Sequence, residues 1–342
     1  MNFETLKNTA KKMVAPGKGI LAADESSGTI KKRFDGVGVE DNEENRRQYR
    51  QTLLTTEGLE QYISGIILFD ETIRQKSDDG TPFSEVLSKK GILPGIKVDA
   101  GTKDLALHPG EKATEGLDKL RERLAEYKKL GARFAKWRAV ITIGDGIPTE
   151  ACVNANAHAM ARYAALCQEV DIVPIVEPEV LMDGNHTVER SFEVSEETLE
   201  ETFEELSRQH VSLEGTILKA SMVIAGKKAP KQSSIEEVAD STVRCLTAEV
   251  PKELAGIVFL SGGQSDERAT ENLNKMNQLG SHPWPLSFSY GRALQNPVLK
   301  IWAENKQENV AKAQTALLFR SKMCGLATLG KYSDEMEKER PY

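Results

Sequence analysis

The chain of 342 residues reads as one α/β domain, a (β/α)8 barrel. Two observations predict this. Short apolar or β-branched runs recur along the chain, each followed by a longer amphipathic segment, the alternation of a parallel sheet covered by helices. The runs number eight, and eight β/α units fit a barrel of typically about 250 residues, leaving room for extensions and long loops. A doubly wound sheet is the alternative that the same alternation allows.

In order, the predicted strands are Gly19–Asp24, Gly65–Asp70, Gly95–Asp99, Phe134–Val140, Val173–Glu179, Thr216–Ser221, Gly256–Ser261 and Pro285–Tyr290. Between them, Leu117, Leu120, Leu124 and Tyr127 share one face at helical spacing, with charged residues on the other. Thr81-Pro82 reads as a capping hydroxyl before a proline at the first helical position, and Ser234-Ile-Glu-Glu237 as a capping box. The polar stretch Asp183–Thr198 reads as a long loop after the fifth strand. Residues 1–330 are assigned to the barrel, and the charged, apolar-poor residues 331–342 to a mobile C-terminal tail.

Hydrophobic residues at 39% and charged residues at 28% are those of an ordinary globular protein. A net charge of -7 argues against nucleic acid as a partner, so any positive patch must be local. No apolar run approaches the roughly 20 residues of a membrane span, and Met1–Lys7 has no signal-peptide core; the expected location is cytoplasmic, away from membranes. Cys152, Cys167, Cys245 and Cys324 form no CxxC pair, and the five histidines show no metal-binding spacing, so no disulfide framework and no metal site are expected.

Ionisable residues gather at the ends of these strands. Asp24, Lys97, Lys136, Arg138, Glu177, Glu179, Lys219 and Arg292 all lie late in an apolar run or just after it, where barrels of this type place their active sites. Lys136 and Arg138 are two apart, as are Glu177 and Glu179, so each pair points to one side of its strand. Any one of them reads more readily as part of an ion-pair network. Eight on successive strands point to a charged mouth. Lys219, in Gly215-Thr-Ile-Leu-Lys-Ala-Ser-Met222, either snorkels to water or keeps its amine in a cavity, where loss of solvation favours the neutral nucleophile. Ser261-Gly-Gly-Gln-Ser265 and Tyr290-Gly-Arg-Ala293 follow the seventh and eighth strands, the loops that commonly hold phosphate in barrels. Glycine lets backbone N–H groups approach an anion, and arginine adds a bidentate charge.

Gly17-Lys-Gly-Ile-Leu-Ala-Ala-Asp-Glu-Ser26, Ala135-Lys-Trp-Arg138, Ile175-Val-Glu-Pro-Glu179, Leu218-Lys219, Phe259-Leu-Ser-Gly-Gly-Gln264 and Phe288-Ser-Tyr-Gly-Arg-Ala-Leu-Gln295 resemble, in order, the signatures of class I fructose-bisphosphate aldolases. The resemblance spans nearly the whole chain. It implies a Schiff-base enzyme, with no metal and no cofactor, that reversibly cleaves a phosphorylated ketose, fructose 1,6-bisphosphate, and assembles as a homotetramer. By that resemblance Lys219 forms the imine, with Lys136 beside it disfavouring a charged amine and stabilising the carbinolamine. Glu177 is the main acid and base, Asp24 and Glu179 support it, and Tyr342 returns a proton to the enamine. One phosphate falls to Ser261, Gly262, Gly263, Ser289, Gly291 and Arg292 with Arg33 in reach, the other to Ser26, Lys97 and Arg138. Thr29 stands where many members carry serine.

Three alternatives share some of these features. A transaldolase-like or keto-acid aldolase barrel would keep Lys219 with one phosphate pocket, and a non-catalytic sugar-phosphate binder would not need Asp24, Lys136, Glu177 and Lys219 together. Metal-dependent aldol chemistry is disfavoured by the histidine spacing.

Overall fold

In the computed structural model, which describes Met1 to Tyr342, eight parallel strands form the expected closed barrel. They are β1 (Gly19–Ala23), β2 (Ile63–Leu68), β3 (Leu93–Lys97), β4 (Phe134–Ile141), β5 (Val173–Val180), β6 (Ile217–Ala220), β7 (Gly256–Phe259) and β8 (Leu286–Tyr290). Each pairs with its sequence neighbours, and β1 closes on β8. β4 and β5 run in register from Phe134 opposite Val173 to Ile141 opposite Val180, forming a long shared wall.

Side-chain alternation divides the interior into two layers. Ile20 and Ala22 of β1, Ile67 of β2, Phe134 of β4, Val173 and Ile175 of β5, Ile217 of β6 and Val258 of β7 fill the lumen as one apolar cluster. One step of two residues further along, the same faces carry Asp24, Lys136, Glu177 and Lys219. Helix Phe3–Met13 seals the opposite end, adding Leu6, Ala10 and Met13 to the apolar layer. The outward residues Ala135, Trp137 and Ala139 belong to the larger core beneath the helices, where Trp137 stacks on Tyr163 at 5.5 Å.

Two local expectations are corrected. The stretch read as a loop to Thr198 is helical from Val188, because Thr187 caps the helix Val188–Arg208 by accepting from the Arg190 N–H. Its buried face uses Ser191, Ser195, Thr198 and Thr202 among Val194 and Leu199, and small hydroxyl residues mask helical periodicity. Two of those hydroxyls donate back to carbonyls one turn earlier, Ser195 to Ser191 and Thr202 to Thr198, both at 2.7 Å. Thr81 caps nothing: helix Phe83–Lys89 has Pro82 at its N-cap without a side-chain hydrogen bond. The Ser234–Glu237 capping box forms as expected.

The C-terminal residues 331–342 include a 3-10 turn over Asp334–Glu339. Its anchor is ionic. Arg320, fully buried in helix Val310–Ala327, holds Glu337 at 2.5 Å, while Arg340 pairs with both Glu337 and Glu267. Tyr332 donates to the same Glu337 at 3.0 Å. A small hairpin, Thr102–Asp104 with Lys112–Thr114, also projects beside the mouth, unforeseen because its strands are short and mostly polar.

The apolar layer leaves no room for an added methyl. A Cβ at Gly95 would stand 2.2 Å from the Phe134 ring, whereas one at Gly28 meets nothing within 4 Å. We expect Gly95→Ala to lower stability by about 1–3 kcal/mol and Gly28→Ala to leave it level or raise it. Denaturant unfolding that ranks the two variants equally would contradict this packing.

Candidate active site

Strand ends and βα loops enclose a cavity of about 760 Å³. Only four of its 24 lining residues are hydrophobic, unlike the mainly apolar lining of most small-molecule pockets. Seven cationic side chains face it, Lys32, Arg33, Lys97, Lys136, Arg138, Lys219 and Arg292, against the carboxylates Asp24, Glu25, Asp99, Glu177 and Glu179. In a chain of net charge -7 this is the local positive patch expected of an anion site.

At its floor four charged groups interlock, each buried. Lys136 Nζ lies 2.9 Å from Asp24 Oδ2 and 3.0 Å from Glu177 Oε2. Lys219 Nζ lies 3.0 Å from the other oxygen, Glu177 Oε1. Burial would raise both carboxyls, but the charges of Lys136 and Lys219 overcome it and hold Asp24 and Glu177 below the usual carboxylate range. Burial would likewise lower Lys136, yet Asp24 and Glu177 raise it well above an ordinary lysine. The charge of Lys136 is absorbed by two carboxylates, and Lys219 shares one of them. Glu177 Oε2 makes no hydrogen bond despite its proximity to Lys136, so it keeps accepting capacity.

The cavity lining contains both residue sets expected to hold phosphate, except Gly263. The first set is Ser261, Gly262, Ser289, Gly291 and Arg292, with Arg33, which forms an ion pair with Glu25. The turn after β7 places Gly262 at φ 58° and Gly263 at φ 89°, the left-handed region that favours glycine. Neither glycine amide is spent on a backbone carbonyl. Ser289 Oγ is buried without a partner, a cost of about 1–3 kcal/mol unless a ligand satisfies it. The second set is Ser26, Lys97 and Arg138, and the Ser26 and Thr29 hydroxyls lie 3.2 Å apart. Ser26 is the N-cap of helix Ser27–Asp35, and its hydroxyl makes no capping bond, which leaves it available to the cavity.

Sequence reasoning missed three partners. Asp99 accepts from Lys97 Nζ at 2.6 Å and from the Arg138 N–H at 3.3 Å, tying the β3 and β4 ends together. Glu25, paired with Arg33 and Arg50, also accepts from Gln295 Nε2 at 2.9 Å. Lys32 adds a cation beside Arg33. The Asp24-Glu25-Ser26 run was the available signal for Glu25. Glu179 pairs with Arg138 through Nε. Gly263 lies just outside the cavity lining, and Tyr342 lies away from it, its ring 6.0 Å from Phe319.

The family model for class I fructose-bisphosphate aldolase matches residues 5–341. The chain belongs to the class I fructose-bisphosphate aldolase family. Among its relatives, a probable class 1 fructose-bisphosphate aldolase of Xanthomonas campestris is 62% identical over 332 residues, 97% of this chain and 99% of that protein. Fructose-bisphosphate aldolase 1 of Toxoplasma gondii is 55% identical over 329 residues, 96% of this chain and 90% of that protein. The solved aldolase of Plasmodium falciparum, bound to a small-molecule inhibitor, superposes with a TM-score of 0.95 at 50% identity, covering 96% of this chain and 95% of that one. Class I membership makes the protein a metal-independent carbon–carbon lyase of glycolysis acting through a Schiff base.

The quartet sets a testable pH dependence. The Asp24 and Glu177 carboxyls are lowered on folding, so their stabilisation is present above the unfolded carboxylate pKa and lost only as pH falls through the lower folded values. Lys136→Met leaves two buried carboxylates to one lysine, which we expect to cost about 3–5 kcal/mol near neutrality. Without Lys136 burial raises both folded carboxyl pKa values, so the deficit should narrow as pH falls and the acid limb of the stability curve should flatten. Unfolding measured across pH that shows the same acid limb in both proteins would refute this electrostatic reading.

Proposed function

We propose that the mouth quartet and the two phosphate sets carry out the reversible cleavage of fructose 1,6-bisphosphate to dihydroxyacetone phosphate and glyceraldehyde 3-phosphate. The observation that carries this is the Lys219 amine 3.0 Å from Glu177 at the floor of a cavity whose lining contains both sets except Gly263. A binder would not need that amine.

Before Lys219 can attack the C2 carbonyl it must give up a proton, and Glu177 is placed to take it. Attack forms the C–N bond and a carbinolamine, whose developing oxygen charge Lys136 stabilises. Glu177 returns the proton to the hydroxyl, water leaves, and a protonated imine remains. The imine withdraws the C3–C4 bonding pair as Glu177 removes the proton from the C4 hydroxyl, releasing the aldehyde and leaving an enamine. Proton return to C3 regenerates the imine, and water hydrolyses it to dihydroxyacetone phosphate and free amine. Asp24 keeps Lys136 in place, and Glu179 orients Arg138. Gly262, Gly291 and Arg292 with Ser261, Ser289 and Arg33 hold one phosphate, Gly263 shaping the turn. Ser26, Lys97 and Arg138 hold the other.

Tyr342 is assigned the proton return, for which the tail must leave its docked position and cover the mouth. The assembly is assigned as a homotetramer and the compartment as cytoplasmic; a relative in Arabidopsis thaliana is named cytosolic. A one-chain mass by sedimentation would remove the tetramer. No helix is long and apolar enough to cross a membrane.

Borohydride reduction with dihydroxyacetone phosphate should add one three-carbon phosphate adduct to the peptide bearing Lys219, and Lys219→Met should abolish both adduct and turnover. An adduct on another lysine would sink the assignment. Removing Tyr342 should slow turnover by about 100-fold or more, the usual scale for a lost proton-transfer group, while leaving the trapped imine unchanged. Equal turnover of the shortened chain would refute its role.

A further inference from the structure

Lys227 lies outside every motif so far discussed, in the loop after β6. A Cβ built on Gly263 would stand 3.0 Å from Lys227 Nζ and 3.2 Å from Arg292 Nη2. Two cations from different loops thus converge on the outer side of one glycine. Arg292 makes no ion pair, and the sole one of Lys227 is to Asp183 at 3.2 Å, with the two side chains 38% and 66% exposed. An exposed pair of this kind holds its lysine weakly.

The main chain carrying Lys227 is fixed, although its amine is not. The Gly226, Lys227 and Lys228 N–H groups donate to the carbonyls of His186, Met182 and Gly184 at 2.9, 2.8 and 2.8 Å, strapping this loop to the one after β5. Gly226 permits that approach, since a Cβ there would stand 2.5 Å from Gly184 O. The buried His186 ring lies beneath, close to both Gly184 and Gly226. A strapped backbone with a free-swinging ammonium group suits a lysine that exchanges one anionic partner for another.

We propose that Lys227 is a further substrate-binding residue: on binding it leaves Asp183 and, with Arg292, clasps the phosphate held by the Ser261–Gly263 turn. This rests on the phosphate reading of that end and deepens it. The pocket then closes on the anion from three sides: glycine amides from the β7 loop, the guanidinium from the β8 loop, and the ammonium from the β6 loop.

The experiment compares the full chain with Lys227→Gln, Lys227→Arg, Lys228→Gln and Arg292→Ala. It measures kcat and KM for fructose 1,6-bisphosphate and the dissociation constant of inorganic phosphate, at low and high salt. Lys227→Gln should raise KM and the phosphate dissociation constant about five- to tenfold, with kcat within about twofold. Lys227→Arg should restore most of that loss, Lys228→Gln should change little, and high salt should shrink the difference. If Lys227→Gln leaves both constants unchanged while Arg292→Ala weakens phosphate binding, the inference falls and the phosphate reading stands. Equal effects of Lys227→Gln and Lys228→Gln would mean a general surface field and would also overturn it. If Arg292→Ala leaves phosphate binding intact, the phosphate reading fails and Lys227 with it.

Discussion

Everything at the mouth depends on one carboxylate shared by two lysines. Glu177 places one oxygen at 3.0 Å from Lys136 and the other at 3.0 Å from Lys219, and Asp24 completes the balance on the far side of Lys136. Burying a single charge at this depth would cost several kcal/mol, and a pair offsets that only with close geometry. Two cations and two anions in mutual contact make the burial tolerable, but they also make each group conditional on the others. A proton moved from Lys219 to Glu177 converts an ion pair into a neutral pair without changing the charge of the mouth. Chemistry that needs both a free amine and an acid can therefore begin without importing or expelling charge.

The barrel supplies this arrangement through period-two alternation alone. Phe134, Lys136 and Arg138 share one side of β4; Val173, Ile175, Glu177 and Glu179 share one side of β5. The lower members are apolar and interlock around Phe134, which lies against Gly65 and Gly95 so closely that only glycine fits. The upper members carry the charges. This layering was legible in the sequence because it is local: residues two apart on an extended strand must face the same way. The eight strands were legible for the same reason, as were the glycine turns that end the last two.

What stayed hidden depends on contacts between distant residues or on residue types that blur a pattern. Asp99 and Glu25 are ordinary acids in sequence; only folding sets them against Lys97 and Arg33. The helix from Val188 was obscured because Ser191, Ser195, Thr198 and Thr202 occupy its buried face, and hydropathy scores such residues as loop. Lys227 escaped notice because its neighbours Gly263 and Arg292 lie 36 and 65 positions further along the chain. The contact that holds the tail was hidden too, because it comes from a fully buried arginine of another helix and not from apolar side chains of the tail.

That anchor is worth weighing against what opposes it. The Arg340 pairs lie at partly exposed side chains, where such contacts contribute about 0–1 kcal/mol each. Arg320 is fully buried and holds Glu337 at 2.5 Å, so this pair carries most of the docking. Against it stands the Tyr342 hydroxyl, sequestered beside Phe319 with no hydrogen-bond partner, at a cost of about 1–3 kcal/mol. Burial also raises the phenol above its usual pKa despite the nearby Arg320 and Arg340, so it stays protonated while docked. The terminal residue is thus held by its neighbours and gains little from its own site. A tail anchored through Glu337 and unsatisfied at Tyr342 can release Tyr342 first, which is the motion that the proton return proposed for Tyr342 would need.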